Sequence, residues 1–272
     1  MLKFILSFSI IPLFTSCYSS EANTFQISEH AKSQTEDSLS STTVGNTIET
    51  RFKTPENFNR IPLDSSSFGF YLRTLTLKPQ GAPVTLYNGN LKANQSVHVA
   101  VINQDIDPVD LQQCADAVMR LRGEYLFQQK RFKHIHFNFL SDGKPRYFLE
   151  YAGGDLSYQK FRSYMKYIFS YANTASLKKE LNTISIENIQ PGDVFIQSGN
   201  PYGHAVTVMD VAIDANGKRL FLLAQSYMPA QETHVLKNPS NPDLSPWYEA
   251  MEGTIFTPEW RFESTDLRRF RD

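Results

Sequence analysis

Two residues in this 272-residue chain stand out for the chemistry they could do, Cys114 and His204. A thiol attacks as its thiolate, and a helix N-terminus or a neighbouring imidazolium makes that thiolate accessible near neutral pH. Cys114 lies in the early part of a helical pattern. Ninety residues later, His204 opens an apolar strand pattern after the loop Gly199-Asn200-Pro201-Tyr202-Gly203. A cysteine and a distant histidine in this order can meet in a fold as nucleophile and general base. Gln112 or Gln113, beside the Cys114 backbone N–H, could donate to an oxyanion. Taken singly, Cys114 reads as a small buried hydrophobe and His204 as a polar strand end. The expectation of a site rests on the pair.

A second constellation is His134-x-His136. Two imidazoles on one strand face can ligate a metal, with Glu150 as a cross-strand third group. A solvated polar face is the commoner outcome, so neither a metal nor any other cofactor is expected. His98 and His234 are isolated in sequence, and Asp193 reads as a turn residue. The aromatic content of 13% reads first as core.

Composition narrows the classes. There are 27 basic and 28 acidic side chains, for a net charge of −1, so no basic surface argues for nucleic acid. Two cysteines, Cys17 and Cys114, exclude a disulfide-dense scaffold and a cysteine-rich zinc module.

The N-terminus reads as an address. Lys3 precedes an apolar run over residues 4–14, too short to cross a bilayer, and the small residues Thr15 and Ser16 lead into Cys17. Phe14-Thr15-Ser16-Cys17 resembles the lipobox of bacterial lipoproteins, although Phe14 stands where leucine is usual. That resemblance implies a signal peptide over residues 1–16 and an acylated Cys17, leaving Cys114 as the one free thiol. A plain secretory signal cleaved nearby is the alternative. Acylation would partner the protein with a membrane. Tyr18, in place of the aspartate that retains some lipoproteins at the inner membrane, leans toward the outer one. Residues 18–50 hold seven Ser and six Thr among 33, with no helical or strand period, so 17–50 is expected as a lipidated cysteine and disordered tether. A single globular α+β domain is expected over 51–272.

The elements that would position the pair follow from periodicity. Residues 67–77 alternate and predict an extended piece, and 84–87 and 97–102 predict strands. Asp107-Pro108-Val109-Asp110 is a helix start signal for a helix running to about Gln128, its stripe carried by Ala117, Val118, Leu121 and Tyr125. If Pro108 began that helix, Cys114 would fall in its second turn, so a break over 111–113 is expected instead. Residues 134–140 and 147–151 predict strands around an Asp142-Gly143 turn. Residues 156–172 predict an amphipathic helix and 176–181 a short one. In the last third, 194–196, 205–213 and 219–226 predict strands, the last two joined by a hairpin turn over 214–218 with Asn216-Gly217 as its signal. The irregular tail is expected to pack over the sheet through Trp247, Tyr248, Phe256 and Trp260.

The His204 hairpin carries further resemblances. Gly203-His204-Ala205-Val206, then Ala224-Gln225-Ser226-Tyr227 after the turn, resembles the His-Ala-Val and Asn-Ser-Trp strands of papain-like peptidases. The resemblance puts Gln225 where that family has the asparagine that orients the imidazole. Pro191-Gly192-Asp193-Val194-Phe195 ahead of His204 is similar to NlpC-type cell-wall cysteine peptidases. Residues from about 60 to 270 resemble an uncharacterised bacterial family, domain of unknown function 4846. That resemblance rests on Gln112-Gln113-Cys114-Ala115-Asp116-Ala117, Gly192-Asp193-Val194-Phe195-Ile196, Gly203-His204-Ala205-Val206 and Ala224-Gln225-Ser226-Tyr227-Met228-Pro229. These imply an α+β, papain-like or NlpC-like core, with the Cys114 helix packed on an antiparallel sheet containing the His204 hairpin.

A two-residue turn at Asn216-Gly217 puts Gln225 opposite Val208. That is the same face as His204 but about 13 Å along the strand, a gap that a bulge or another loop length must close. Asp210, Ser226 or water remain alternative orienters. The function so implied is a membrane-anchored envelope cysteine hydrolase with Cys114, His204 and Gln225 as its catalytic set, acting on envelope or cell-wall peptide. The alternative is a non-catalytic lipoprotein that uses the same shell for binding or scaffolding.

Overall fold

The computed structural model describes residues 45–199 and 202–271. The expected signal peptide, Cys17 and most of the tether lie outside them. Its described helices are α1 (Ile48–Arg51), α2 (Phe68–Arg73), α3 (Cys114–Gln128), α4 (Phe148–Ala152), α5 (Tyr158–Phe169) and α6 (Thr174–Glu180). The described strands begin with β1 (Asn59–Arg60), β2 (His98–Val101), β3 (His136–Asn138), β4 (Pro145–Tyr147), β5 (Asn182–Thr183) and β6 (Val194–Gln197). They continue with β7 (His204–Ile213), β8 (Arg219–Gln225), β9 (His234–Leu236), β10 (Tyr248–Glu249), β11 (Thr254–Phe256), β12 (Arg261–Glu263) and β13 (Leu267–Arg269). No described helix is long and apolar enough to cross a membrane.

The class is α+β, as expected. A nine-stranded sheet runs β2-β9-β8-β7-β6-β13-β5, with β1 on β7 and β10 on β8, and its pairings are antiparallel. Its centre, β7 and β8, is buried on both faces, which is why both strands read as near-continuous apolar runs. One face, through Ala205, Met209, Ala212, Leu222 and Ala224, packs with the main core, to which α3 contributes Ala115, Val118, Met119 and Leu121. The other face, through Val206, Val208, Val211 and Leu223, packs with Phe262, Tyr248 and Leu267.

Several expectations need correction. Within 67–77, Phe68–Arg73 form a helix rather than an extended piece, while Thr76 and Leu77 make isolated β-bridges to Thr47 and Ile102. Ser67 Oγ accepts from Phe70 N at 3.1 Å, and Phe68 and Leu72, one helical turn apart, are the buried pair. Residues 148–152 are helical too, because Phe148 and Ala152 are buried at i and i+4. Gly153, at φ 58°, ends that helix. The ordered domain starts before Arg51, since Ile48 is fully buried in α1 and Thr47 caps it. Trp247 and Tyr248 are buried as expected, whereas Phe256 is exposed.

The hairpin loop is 214–218, as the strand bounds predict, and not the two-residue turn that places Gln225 opposite Val208. Asp214 Oδ1 accepts from Asn216 N and Lys218 N, and Ile213 pairs with Arg219. A bulge between Val208 and Asp210 then shifts the register again, so that Thr207 faces Ala224. Continued one step, this register puts Gln225 opposite Val206 rather than Val208, a diagonal neighbour of His204.

Candidate active site

α3 begins at Cys114, not at Pro108. Asp107 does not cap a helix; its carboxylate is held by Arg162 at 2.6 Å and Lys166 at 3.1 Å. From there the chain advances through i to i+2 hydrogen bonds, Val109 N to Asp107 O and Leu111 N to Val109 O. Gln113 is the N-cap residue, and its N–H donates to Asp116 Oδ2 at 3.0 Å. Two contacts from the far end of β8 hold this approach in place. Ser226 Oγ lies 3.2 Å from Gln112 O, and Ala230 N donates to Asp110 Oδ1 at 2.7 Å. The break places Cys114 on the first turn, where the N–H groups of Cys114 and Ala115 reach the sulfur.

The sulfur meets the peptide groups on both sides of His204. Sγ is 4.0 Å from Gly203 O, and the Ala205 N–H points at it. Gly203 is required there: a Cβ would fall 2.2 Å from Gln197 O and 2.6 Å from Thr174 Oγ1. Among the described residues no hydrogen bond joins Sγ to the His204 ring.

The imidazole is fixed from its other side. His204 Nε2 lies 2.9 Å from Gln225 Oε1, and its ring packs on Tyr227, Trp260 and Phe262. The Gln225 amide is itself oriented, because Nε2 donates to Glu259 Oε2 at 2.7 Å and lies 3.4 Å from His234 Nε2. His234 Nδ1 donates to Glu232 O at 2.8 Å, so its Nε2 is the acceptor. The chain of donors and acceptors then requires His204 to carry its proton on Nε2 and to keep Nδ1 as the base.

Of the alternative orienters, Asp210 is engaged elsewhere, by Arg60 at 2.6 Å and Arg73 at 2.8 Å, on the helix-facing side of the sheet. Ser226 donates to Gln231 O at 2.7 Å. Lys92, Glu259 and His234 were not legible as site residues. Lys92 Nζ closes the network on Glu259 Oε1 at 2.7 Å and stands over the Tyr227 ring. His234 pairs on the strand next to Gln225.

Cys114 opens into a cavity of about 240 Å³, lined also by Asp110, Gln113, Asp116, Thr174 and Tyr202. His204 is not part of that lining. Burial pushes the Cys114 thiol up to about 11, Asp116 adds to the rise, and the three N–H groups oppose it. Burial pulls His204 down to about 4 despite Gln225. At rest Cys114 is therefore a thiol and His204 a neutral imidazole. Asp116, pushed up to about 8 by burial, has Oδ1 without a partner.

Of the two glutamines, Gln113 Nε2 is taken by Asp110 Oδ1 at 3.1 Å. Gln112 accepts from Arg120 at 3.1 Å, while its own Nε2, fully buried, has no partner. The histidine pair lies elsewhere: His136 faces Glu180 at 3.8 Å rather than Glu150. Among the described residues no three His, Cys, Asp or Glu gather as a metal site.

A match to the family model for Domain of unknown function (4846) covers residues 48–269. The chain belongs to that family. No curated protein and no solved structure shows significant similarity to it. In this member, Cys114, His204 and Gln225 all fall within the matched span.

Proposed function

We propose that this chain is a cysteine hydrolase acting on amide bonds, with Cys114 as nucleophile, His204 as general base and Gln225 as its orienting partner. The observation that carries the reading is the hydrogen-bond chain Glu259–Gln225–His204, which leaves Nδ1 of the imidazole as a base beside the peptide segment that Sγ touches. The thiol proton passes to His204 Nδ1 as sulfur bonds to the carbonyl carbon. Collapse of the adduct breaks the C–N bond, and His204 returns the proton to the departing amine. Water, deprotonated by the same nitrogen, then cleaves the thioester to a carboxylic acid and frees the thiol. The Cys114 N–H, on the first turn of α3, is the donor assigned to the oxyanion, since Gln112 Nε2 is buried away from the cavity.

With a thiol pushed up and an imidazole pulled down, proton transfer accompanies attack instead of preceding it. The papain-like character of the core, export and acylation at Cys17 belong to the same reading. They favour an envelope or cell-wall peptide as substrate and an outer-membrane location.

A peptidyl epoxide probe tests the assignment. Stoichiometric modification of Cys114, lost in Cys114→Ala and at least tenfold slower in His204→Ala, supports it. Labelling only after unfolding would sink it. One observation favours a second reading, a non-catalytic binding module: His204 is 2% exposed and absent from the cavity wall.

A further inference from the structure

The cavity beside Cys114 is acidic. Asp110 and Asp116 both line it, and the described lining holds no Lys, Arg or His. Neither carboxylate forms an ion pair among the described residues. Asp110, at the exposed rim, accepts through Oδ1 from Ala230 N at 2.7 Å and from Gln113 Nε2 at 3.1 Å. Asp116 is 7% exposed; its Oδ2 accepts from Gln113 N at 3.0 Å, while its Oδ1 is buried without a partner. Burial pushes this carboxyl up, and what opposes the rise is the backbone N–H of Gln113 and of Asp116 itself.

A buried carboxylate without a counter-charge is costly to ionise. Its charge spreads over both oxygens, so a cation seated in the cavity offsets it while the Gln113 N–H stays on Oδ2. The rest of the wall decides which cation. Leu111, Phe169, Ala172 and Met228 are apolar. Among the described residues no three His, Cys, Asp or Glu gather to hold a metal ion. Two acids in an apolar wall suit a charge carried on a hydrocarbon stem, which lies along apolar surface while its head meets the carboxylates. Such a cation also relieves the thiol. Asp116 adds to the rise that burial imposes on Cys114, and a positive charge beside Asp116 cancels that effect.

We propose that the Cys114 cavity is a subsite for a primary alkylammonium group, held by Asp116 and Asp110. As a statement about substrate this rests on the hydrolase reading, and it selects amides that carry an amine near the scissile bond. As a statement about binding it stands without that reading.

The test is an NMR titration of the full-length protein at pH 8.5. That is above the raised Asp116 value of about 8 and below the ordinary amine value of about 10.4. The probes are n-butylammonium, 1-butanol and butyrate, matched in stem and differing in charge. n-Butylammonium should shift the Ala115 and Gly203 amides saturably, with an affinity at least tenfold above that of 1-butanol, and butyrate should not bind. Asp116→Asn, which keeps the shape of the side chain, should weaken n-butylammonium tenfold or more and leave 1-butanol unchanged. Asp110→Asn, at the exposed rim, should weaken it severalfold and keeps the test decisive if Asp116→Asn does not fold. Binding is read without turnover, so the two readings fail separately. Saturable n-butylammonium binding in a protein that the epoxide probe does not label keeps the subsite and removes the hydrolase. Equal affinity for the ammonium and the alcohol, or ammonium affinity unchanged in the folded variants, overturns the proposal.

Discussion

His204 and Gln225 sit on adjacent strands, diagonally placed, and their side chains meet at 2.9 Å. The contact exists because the bulge at Val208/Asp210 and the five-residue loop bring Gln225 two residues closer to His204 than a two-residue turn would. A glutamine, one methylene longer than asparagine, spans the remaining offset.

Truncating that side chain has two consequences. Gln225→Ala leaves the His204 N–H, a Glu259 oxygen and His234 Nε2 without their partner in a buried setting, at about 1–3 kcal/mol for each group left unsatisfied. A drop of several kcal/mol in urea-unfolding stability is expected. Gln225→Asn, which keeps the chemistry but shortens the reach, should recover only part of it. If His204 acts as base, probe modification of Cys114 slows in both variants, more in the alanine one.

The thiol offers a direct electrostatic readout. Iodoacetamide alkylation of native protein should rise with pH toward a midpoint near 11. Asp116 is ionised above about 8 and then opposes the thiolate. Asp116→Asn should therefore speed alkylation severalfold at pH 9 and change it little at pH 6. An unchanged rate at pH 9 would show that Asp116 does not act on the sulfur.

Stability should decline on both sides of a plateau. His204 and His234 are pulled from the ordinary 6.5 to about 4 and about 3, so each contributes stability above 6.5 that is lost as pH falls through those values. Asp116 and Glu180 run the other way. Raised from 3.8 and 4.5 to about 8 and about 7, they contribute stability at low pH that is lost as pH rises through the raised values. Melting temperature should hold between about pH 4 and 6.5 and fall on either side. Asp116→Asn should flatten the alkaline fall. His234→Gln should soften the acid one, and melting curves over pH 3.5–9 check both.

Asp210 anchors the His204 strand to segments far away in sequence. It is fully buried between Arg60 and Arg73, so Asp210→Ala leaves the nearly buried Arg73 guanidinium uncompensated. A loss of about 3–5 kcal/mol is expected, measured by denaturant unfolding. Arg60→Ala, whose arginine is more exposed and which leaves the Arg73 pair intact, should cost clearly less.

The sequence and the structure agree where one physical signal dominates. The β7 and β8 runs were legible because burial on both faces leaves little but apolar residues. α5 was legible because a single face of Phe161, Tyr164, Met165 and Ile168 meets the core. The helix start at Cys114 was foreseeable only as a break, since the chain before it offers a good cap whose carboxylate the fold uses for Arg162 and Lys166. α2 and α4 escaped because helices of six and five residues show too little periodicity to separate i+2 from i+4. Lys92, Glu259 and His234 carried no local signal, since what joins them to Gln225 is tertiary packing.

α3 has a consequence for how substitutions will read. From Cys114 through Leu126 each of its residues is buried, including Asp116, Arg120, Arg122 and Glu124, with Arg120 and Glu124 paired at 2.6 Å. A saturation scan should show thirteen consecutive sensitive positions there, with none of the three-to-four-residue rhythm an amphipathic helix leaves. Sensitivity at Cys114 alone then carries no more weight than sensitivity at Ala117. If the thiol is the proposed nucleophile, what singles it out is chemical: Cys114→Ser should be tolerated in folding assays and should abolish modification by the peptidyl epoxide probe.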